Sequence, residues 1–251
     1  ILTASTLPED EIERERGVIL QELGQAIDSP DDIVFENFNA ACYGDHILGQ
    51  SILGTTDSVS SFSRDELRAF MDRHYGTAQM FVCASGKLDH DQLVRMCENR
   101  LSSVAKTTLH ARSTPEWKGQ TKIVERELEQ CHVVFGLPAP SATSAERYAL
   151  LVLSNIYGGG MSSRLFQQVR EERGLCYSIF SCGQLISDTG VFGIYAGTSE
   201  ESLNEMLEVS ARAFGDVASS VSDVEMARAR TQLKASVMMG LDSSTALNEH
   251  L

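Results

Sequence analysis

The chain has 251 residues, 42% of them hydrophobic and 22% charged, with a formal net charge of −14. That length accommodates two domains of ordinary size, and the balance is that of a globular protein. The acidity excludes nucleic acid and an anionic membrane surface as main partners, because both are polyanions. It suits cationic peptides, and solubility alone would equally explain it.

No apolar run approaches the roughly 20 residues needed to span a bilayer, and Ile1-Leu2-Thr3 opens without Met and without the basic start of a secretory signal. The cysteines, Cys42, Cys83, Cys97, Cys131, Cys176 and Cys182, form no C-x-x-C pair. They read as small buried hydrophobes of a reducing compartment rather than as a zinc site.

In chain order, Ile12, Ile19, Leu23 and Ile27 recur at helical spacing and predict a helix over 8–27. Ser29-Pro30-Asp31-Asp32 opens a second, with Ser at the cap and Pro in the first turn. Ser63-Arg64-Asp65-Glu66 is a capping box for a third. A short apolar strand is expected over 79–85 and an amphipathic helix over 90–104. Residues 105–120 lack apolar periodicity and read as a linker. Beyond it, strands are expected at 121–127 and 130–137, then a helix capped by Thr143-Ser144-Ala145-Glu146 and running to about Tyr157. Gly158-Gly159-Gly160 interrupts it, another helix continues to Arg173, and a hairpin turns around Ser187-Asp188. Two helices are expected to close the chain, the second capped by Ser222-Asp223-Val224-Glu225. Strands with helices on one side predict an α+β fold in two layers.

Three constellations carry chemistry. On the first helix, at about 100° per residue, Glu15 and Glu22 lie about 20° apart at the edge of the apolar stripe, so both are expected to be half-buried. A carboxylate there needs a partner, and a metal, a histidine or an arginine would each serve. None of His46, His74, His90, His110, His132 and His250 pairs with another at metal-ligand spacing on one helix, so each reads as structural. The second constellation, Gly158 to Phe166, lets a ligand's backbone approach closely or simply breaks a helix. It lacks the Lys-Ser/Thr ending of a phosphate-binding loop. The third is Arg170-Glu171-Glu172-Arg173-Gly174-Leu175-Cys176-Tyr177. Gly174 permits a left-handed turn that would let Arg170 and Tyr177 converge as a cation and a phenol donor, a pairing suited to an oxyanion. Surface and packing roles are the ordinary alternative for both.

These pieces, in this order, resemble the pitrilysin/insulinase (inverzincin) family of zinc metallopeptidases, closest to its processing-peptidase branch. Ile12-Glu13-Arg14-Glu15-Arg16-Gly17-Val18-Ile19-Leu20-Gln21-Glu22 is similar to the stretch that supplies the family's third zinc ligand. His46-Ile47-Leu48-Gly49-Gln50-Ser51-Ile52-Leu53-Gly54 resembles the loop that follows it, and Phe62-Ser63-Arg64-Asp65-Glu66-Leu67 and Ala84-Ser85-Gly86 continue the match. Gly159-Gly160-Met161-Ser162-Ser163-Arg164-Leu165-Phe166 is similar to the opening of the companion domain's active-site helix.

The resemblance implies Glu22 as metal ligand, Glu15 as a supporting acid, Arg170 and Tyr177 as the catalytic pair, and Gly159, Gly160, Ser162 and Arg164 as substrate-binding residues. It implies zinc as cofactor, a peptide or unfolded polypeptide as substrate, and a homodimer or a heterodimer with a related subunit. It implies two similar α/β-sandwich domains, both incomplete: 1–105 from the zinc-site domain, a linker at 106–120, and 121–251 as the substrate-binding domain that carries Arg170 and Tyr177. The family's H-x-x-E-H helix, with two His ligands and the Glu base, does not occur in this sequence. The expectation is therefore a zinc-dependent endopeptidase in the full-length parent, with this chain alone inactive and retaining no zinc. A non-catalytic structural or partner subunit is the alternative. The bacterial cytoplasm is the expected compartment, with the mitochondrial matrix second.

Overall fold

The structure, a computed structural model, describes residues 2, 4–108 and 112–250, with side chains up to 248. His110 and the middle of the expected linker lie outside the described residues. Two compact units emerge, built from interleaved stretches. One holds residues 1–25, 52–113 and 237–251, and the other holds 26–51 and 114–236.

In the first unit, α1 (Glu9–Asp28) begins with an acidic first turn, and it buries Leu23. Arg16 ties it to α3 (Thr56–Ser61) and the turn beyond, donating to the carbonyls of Val59 and Phe62. The capping box expected at Ser63 forms: its hydroxyl accepts from the Glu66 amide at 3.2 Å, and the Glu66 carboxylate accepts from the Ser63 amide at 2.8 Å. It opens α4 (Arg64–His74), whose Arg64 and Arg68 donate to the carbonyls of Thr6 and Ser5. After α4 comes α5 (His90–Leu101), capped by Asp89.

The second unit is organised by a three-stranded antiparallel sheet of β1 (Cys131–Pro138), β2 (Cys176–Leu185) and β3 (Gly190–Thr198), in the order β1-β3-β2. β3 is buried along its whole length because both of its faces are covered. On one face Phe192, Ile194 and Ala196 join Tyr157, Val169, Met206, Val209 and Ala213 in the main core. Those residues come from α6 (Arg147–Gly158), the turn after it, and α7 (Leu203–Ser220). On the other face sits α2 (Pro30–Tyr43). Gly136 and Gly193 are directly paired across β1 and β3, and a Cβ at Gly136 would stand 2.8 Å from the Phe38 ring. The glycine pair is thus the slot that receives Phe38, while Phe35 stacks on Tyr195 at 5.5 Å. The expectation of helices on one side only is corrected here: a helix from the first quarter of the sequence covers the second face of this sheet.

Two expected strands do not form. Residues 79–85 and 121–127 are irregular, with Phe81 91% and Ile123 81% exposed. A strand exists only by pairing, and no described segment offers either of them a ladder. The helix expected to begin at Thr143 starts instead at Arg147, because the Thr143 hydroxyl bonds Ser141 and the Ser187 carbonyl. The hairpin forms as expected, as do α7 and α8 (Asp223–Leu241), and a last helix, α9 (Ser244–His250), ends the described chain. Burial pushes the thiols of Cys42, Cys176 and Cys182 up, to about 12, 11 and 11. That fits their reading as inert hydrophobes; Cys83 departs from it by being exposed.

Candidate functional site

The best-formed site lies in the second unit, where α6 ends against β2. Gly158 closes α6 because a Cβ there would stand 2.4 Å from the Ser181 amide nitrogen. Its missing side chain therefore lets helix and strand meet, and of the triplet only Gly160 faces open space. The chain then turns through Met161 and Ser162, both exposed, to a π-helical turn over Phe166–Glu171. The Glu172 amide donates to the Gln167 carbonyl five residues back, at 2.9 Å, which widens the turn beyond an α-helix. Such single turns recur at functional positions.

This wide turn carries Arg170. Its guanidinium carbon sits 4.6 Å from the Phe166 ring centroid and 4.9 Å from that of Tyr177, between two aromatic rings. Gly174, at φ +63°, makes the left-handed turn that brings Tyr177 back onto Arg170. The Tyr177 side chain is 75% exposed, and its hydroxyl has no partner among the described residues. Glu171 approaches Arg170 only to 3.8 Å in an exposed setting, so it does not fix the guanidinium. Beside the stack lies a cavity of about 370 Å³, lined by residues 158–161, Phe166, Arg170 and 178–181. The pairing of Arg170 with Tyr177 expected from sequence is present in space.

Arg164 is placed otherwise. Its Nε and Nη2 grip the two carboxylate oxygens of Glu225 at 2.7 and 3.0 Å, and its nitrogens also reach the hydroxyl and carbonyl of Ser220. Arg164, expected from the sequence to bind substrate, has its donors engaged inside the fold and does not line the cavity. The Arg164 guanidinium and the Ser222 groups hold the Glu225 carboxyl down at about 2. Sequence marked Glu225 only as a capping residue. Ser162 offers its carbonyl to Arg228 at 2.9 Å.

The other candidates lie in the first unit. Glu15 and Glu22 are exposed on α1 rather than half-buried, because Leu23 is the one residue of that helix that is fully covered. Zinc sites take three or four protein donors. Among the described residues no three His, Cys, Asp or Glu side chains gather. The described residues therefore do not by themselves assemble a zinc site, and Glu22 amounts to one possible donor. The histidines act structurally where their partners are seen: His132 bonds the Tyr195 hydroxyl at 3.0 Å, and His46 accepts from the Leu48 amide.

Residues 61–233 match the family model described as the peptidase M16 inactive domain. The chain belongs to the peptidase M16 family. It is 37% identical over 257 residues to a protein of Streptomyces coelicolor called an uncharacterized zinc protease, covering 98% of this chain and 56% of that protein. A Rickettsia felis protein of the same description is 34% identical, covering 100% of this chain and 61% of its own length. The M16 chain thus spans a little over half the length of these curated relatives. Its fold is similar to a protease from Helicobacter pylori, with a TM-score of 0.85 at 22% identity, covering 98% of this chain and 62% of that one. It is also similar to a chain of Complex III2 from Candida albicans, with a TM-score of 0.86 at 21% identity, covering 96% and 61%. The resemblance read from the sequence holds at the level of the family, and the α+β fold with it.

Proposed function

We propose that this chain is part of a zinc-dependent endopeptidase, in which it supplies the groups that hold a peptide and polarise its scissile carbonyl. The observation that carries the reading is the Arg170–Tyr177 stack beside a glycine-walled cavity. A peptide carbonyl gains negative charge when it is attacked, and donors already aimed at it are worth more in the transition state than in the ground state. The Tyr177 hydroxyl is such a donor. The Arg170 guanidinium, stacked between two rings, keeps its plane fixed while its edge N–H groups can donate. In this reading Gly159, Gly160 and Ser162 contact the substrate backbone. The outer edge of β2 has no strand neighbour among the described residues, which suits an extended peptide.

Zinc would supply the Lewis acid and the activated water. Glu22 is the single ligand assigned to this chain, with Glu15 supporting it, and the remaining ligands would be supplied by residues other than those of this chain. No described helix is long and apolar enough to cross a membrane. The bacterial relatives favour the bacterial cytoplasm, and a dimer of like or related subunits is the proposed assembly.

A second reading, a non-catalytic subunit, is favoured by the matched model's description as an inactive domain. Cleavage of an unfolded polypeptide by the full-length protein separates the two. The peptidase reading expects cleavage that a chelator abolishes and added zinc restores, with both zinc and activity lost in Glu22→Gln while the melting temperature is kept. A folded full-length protein that binds no zinc and cuts nothing supports the subunit.

A further inference from the structure

We infer that Glu225, in the first turn of α8, is a positioning residue that acts through Arg164 to hold the 158–163 loop in its substrate-facing form. The inference rests on the proposed peptidase reading for what the loop does, but not for how the loop is held.

The loop follows a helix that ends in three glycines, and glycine leaves a backbone with more freedom than any other residue. Its conformation must therefore be imposed from outside. The carbonyls show how. Gly160 accepts from the Ser163 amide, Met161 from the Gln167 side chain at 2.7 Å, Ser162 from Arg228 at 2.9 Å, and Ser163 from the Gln167 amide. The amides of Gly160, Met161 and Ser162 meet no acceptor among the described residues. A loop with its carbonyls tied back and its amides open presents donors to a carbonyl-bearing ligand.

One of these ties comes from α8, and one turn earlier the same helix holds the side chain of Arg164, the residue that follows the loop. Arg228 reaches forward to the Ser162 carbonyl, and Glu225 receives Arg164. The Glu225 carboxylate is itself fixed from beneath, since the Ser222 amide and hydroxyl both donate to Oε2 at 2.9 Å. Arg164 cannot swing with its partner, because its Nη1 also donates to the Ser220 hydroxyl and its Nη2 to the Ser220 carbonyl, at the end of α7. The side chains of the pair are 11% and 19% exposed, so water screens the bond only in part. A two-pronged guanidinium–carboxylate contact fixes orientation as well as distance. Arg164 thus stands at the exit of the loop as a rigid post, joined to two helices.

An ordinary half-buried ion pair would stabilise the fold and leave the loop indifferent to it. The two cases part on variants that separate the cap from the clamp. Ser222→Ala removes the hydroxyl that caps α8 and touches the carboxylate, but leaves the backbone amide of residue 222 and the two prongs of Arg164 on that carboxylate; Glu225→Gln and Arg164→Lys each remove the two-pronged contact.

In the full-length protein, hydrogen exchange over 158–163 should be about tenfold faster in Glu225→Gln and in Arg164→Lys, with β2 and β3 unchanged, and unaltered in Ser222→Ala. The KM for an unfolded polypeptide should rise about tenfold in the first two variants with kcat within about twofold, and the double variant should be no worse than either single one. Loop exchange that stays at the parent rate in Glu225→Gln and Arg164→Lys overturns the inference. So does an equal effect from Ser222→Ala, or faster exchange with an unchanged KM. If the full-length protein cleaves nothing, the proposed function fails. The exchange experiment still reads the clamp, and the Kd of the same polypeptide then takes the place of KM.

Discussion

The Arg170 guanidinium lies 4.9 Å from the centre of the Tyr177 ring, although six residues, the left-handed Gly174 among them, separate the two along the chain. The Phe166 ring centre lies 4.6 Å from the same guanidinium. A planar cation between two rings is a fixed donor, and the stack depends on its flatness. Arg170→Lys keeps the charge and loses the plane. In the full-length protein this substitution should raise KM by about tenfold, with folding intact, as a point charge replaces an oriented fork. Steady-state kinetics on a peptide substrate reads the effect directly, and an unchanged KM would show that the charge alone suffices.

The glycines of the site serve two separate purposes, and substitution tells them apart. A Cβ at Gly158 would meet the Ser181 amide at 2.4 Å, and backbone cannot move aside cheaply. Gly158→Ala should cost about 1–3 kcal/mol by forcing α6 off β2. Gly160→Ala meets nothing within 4 Å and should leave stability nearly unchanged. Denaturant unfolding of the two variants side by side checks the contrast.

Acid should loosen the clamp on the 158–163 loop only as pH falls toward 2, where its carboxylate takes up a proton. The Glu225 carboxyl titrates at about 2 in the folded protein against an ordinary value of 4.5, because the Arg164 guanidinium and the Ser222 groups hold its charged form. A depressed folded pKa contributes stability that is fully present above 4.5 and is lost as pH falls toward 2. Discounted for the water around a part-buried pair, the contribution is on the order of 1 kcal/mol. Glu225→Gln should be less stable at pH 7 by that order, and its stability should fall less steeply between pH 4.5 and 2 than the parent's. Urea midpoints across that pH range measure both effects.

What was legible in the sequence is what local chemistry decides. Apolar spacing placed α1, and the Ser63 and Ser222 boxes placed α4 and α8, because a cap is written within four residues. Gly174 marked the left-handed turn, so the convergence of Arg170 and Tyr177 could be anticipated. What was not legible depended on distant partners. Gly136, Gly193 and Phe38 carry no local sign that a helix near the start of the chain will lie on this sheet. The Ser222-x-x-Glu225 box revealed the cap but not the arginine about sixty residues earlier that shares the same carboxylate. Residues 79–85 and 121–127 have strand composition, yet composition cannot supply the neighbour that a strand needs. Glu22 was placed half-buried from its angle on the helix, and it is exposed because so little of α1 is covered.

The central claim is that the Tyr177 hydroxyl donates to the developing oxyanion. Tyr177→Phe in the full-length protein removes that one atom and keeps the ring on Arg170. Peptide-cleavage kinetics, with zinc measured on the same samples, should show kcat lowered by roughly 10²–10³ with zinc content and melting temperature unchanged. Near-normal turnover in Tyr177→Phe would contradict the account, since the ring would then be all that the site requires.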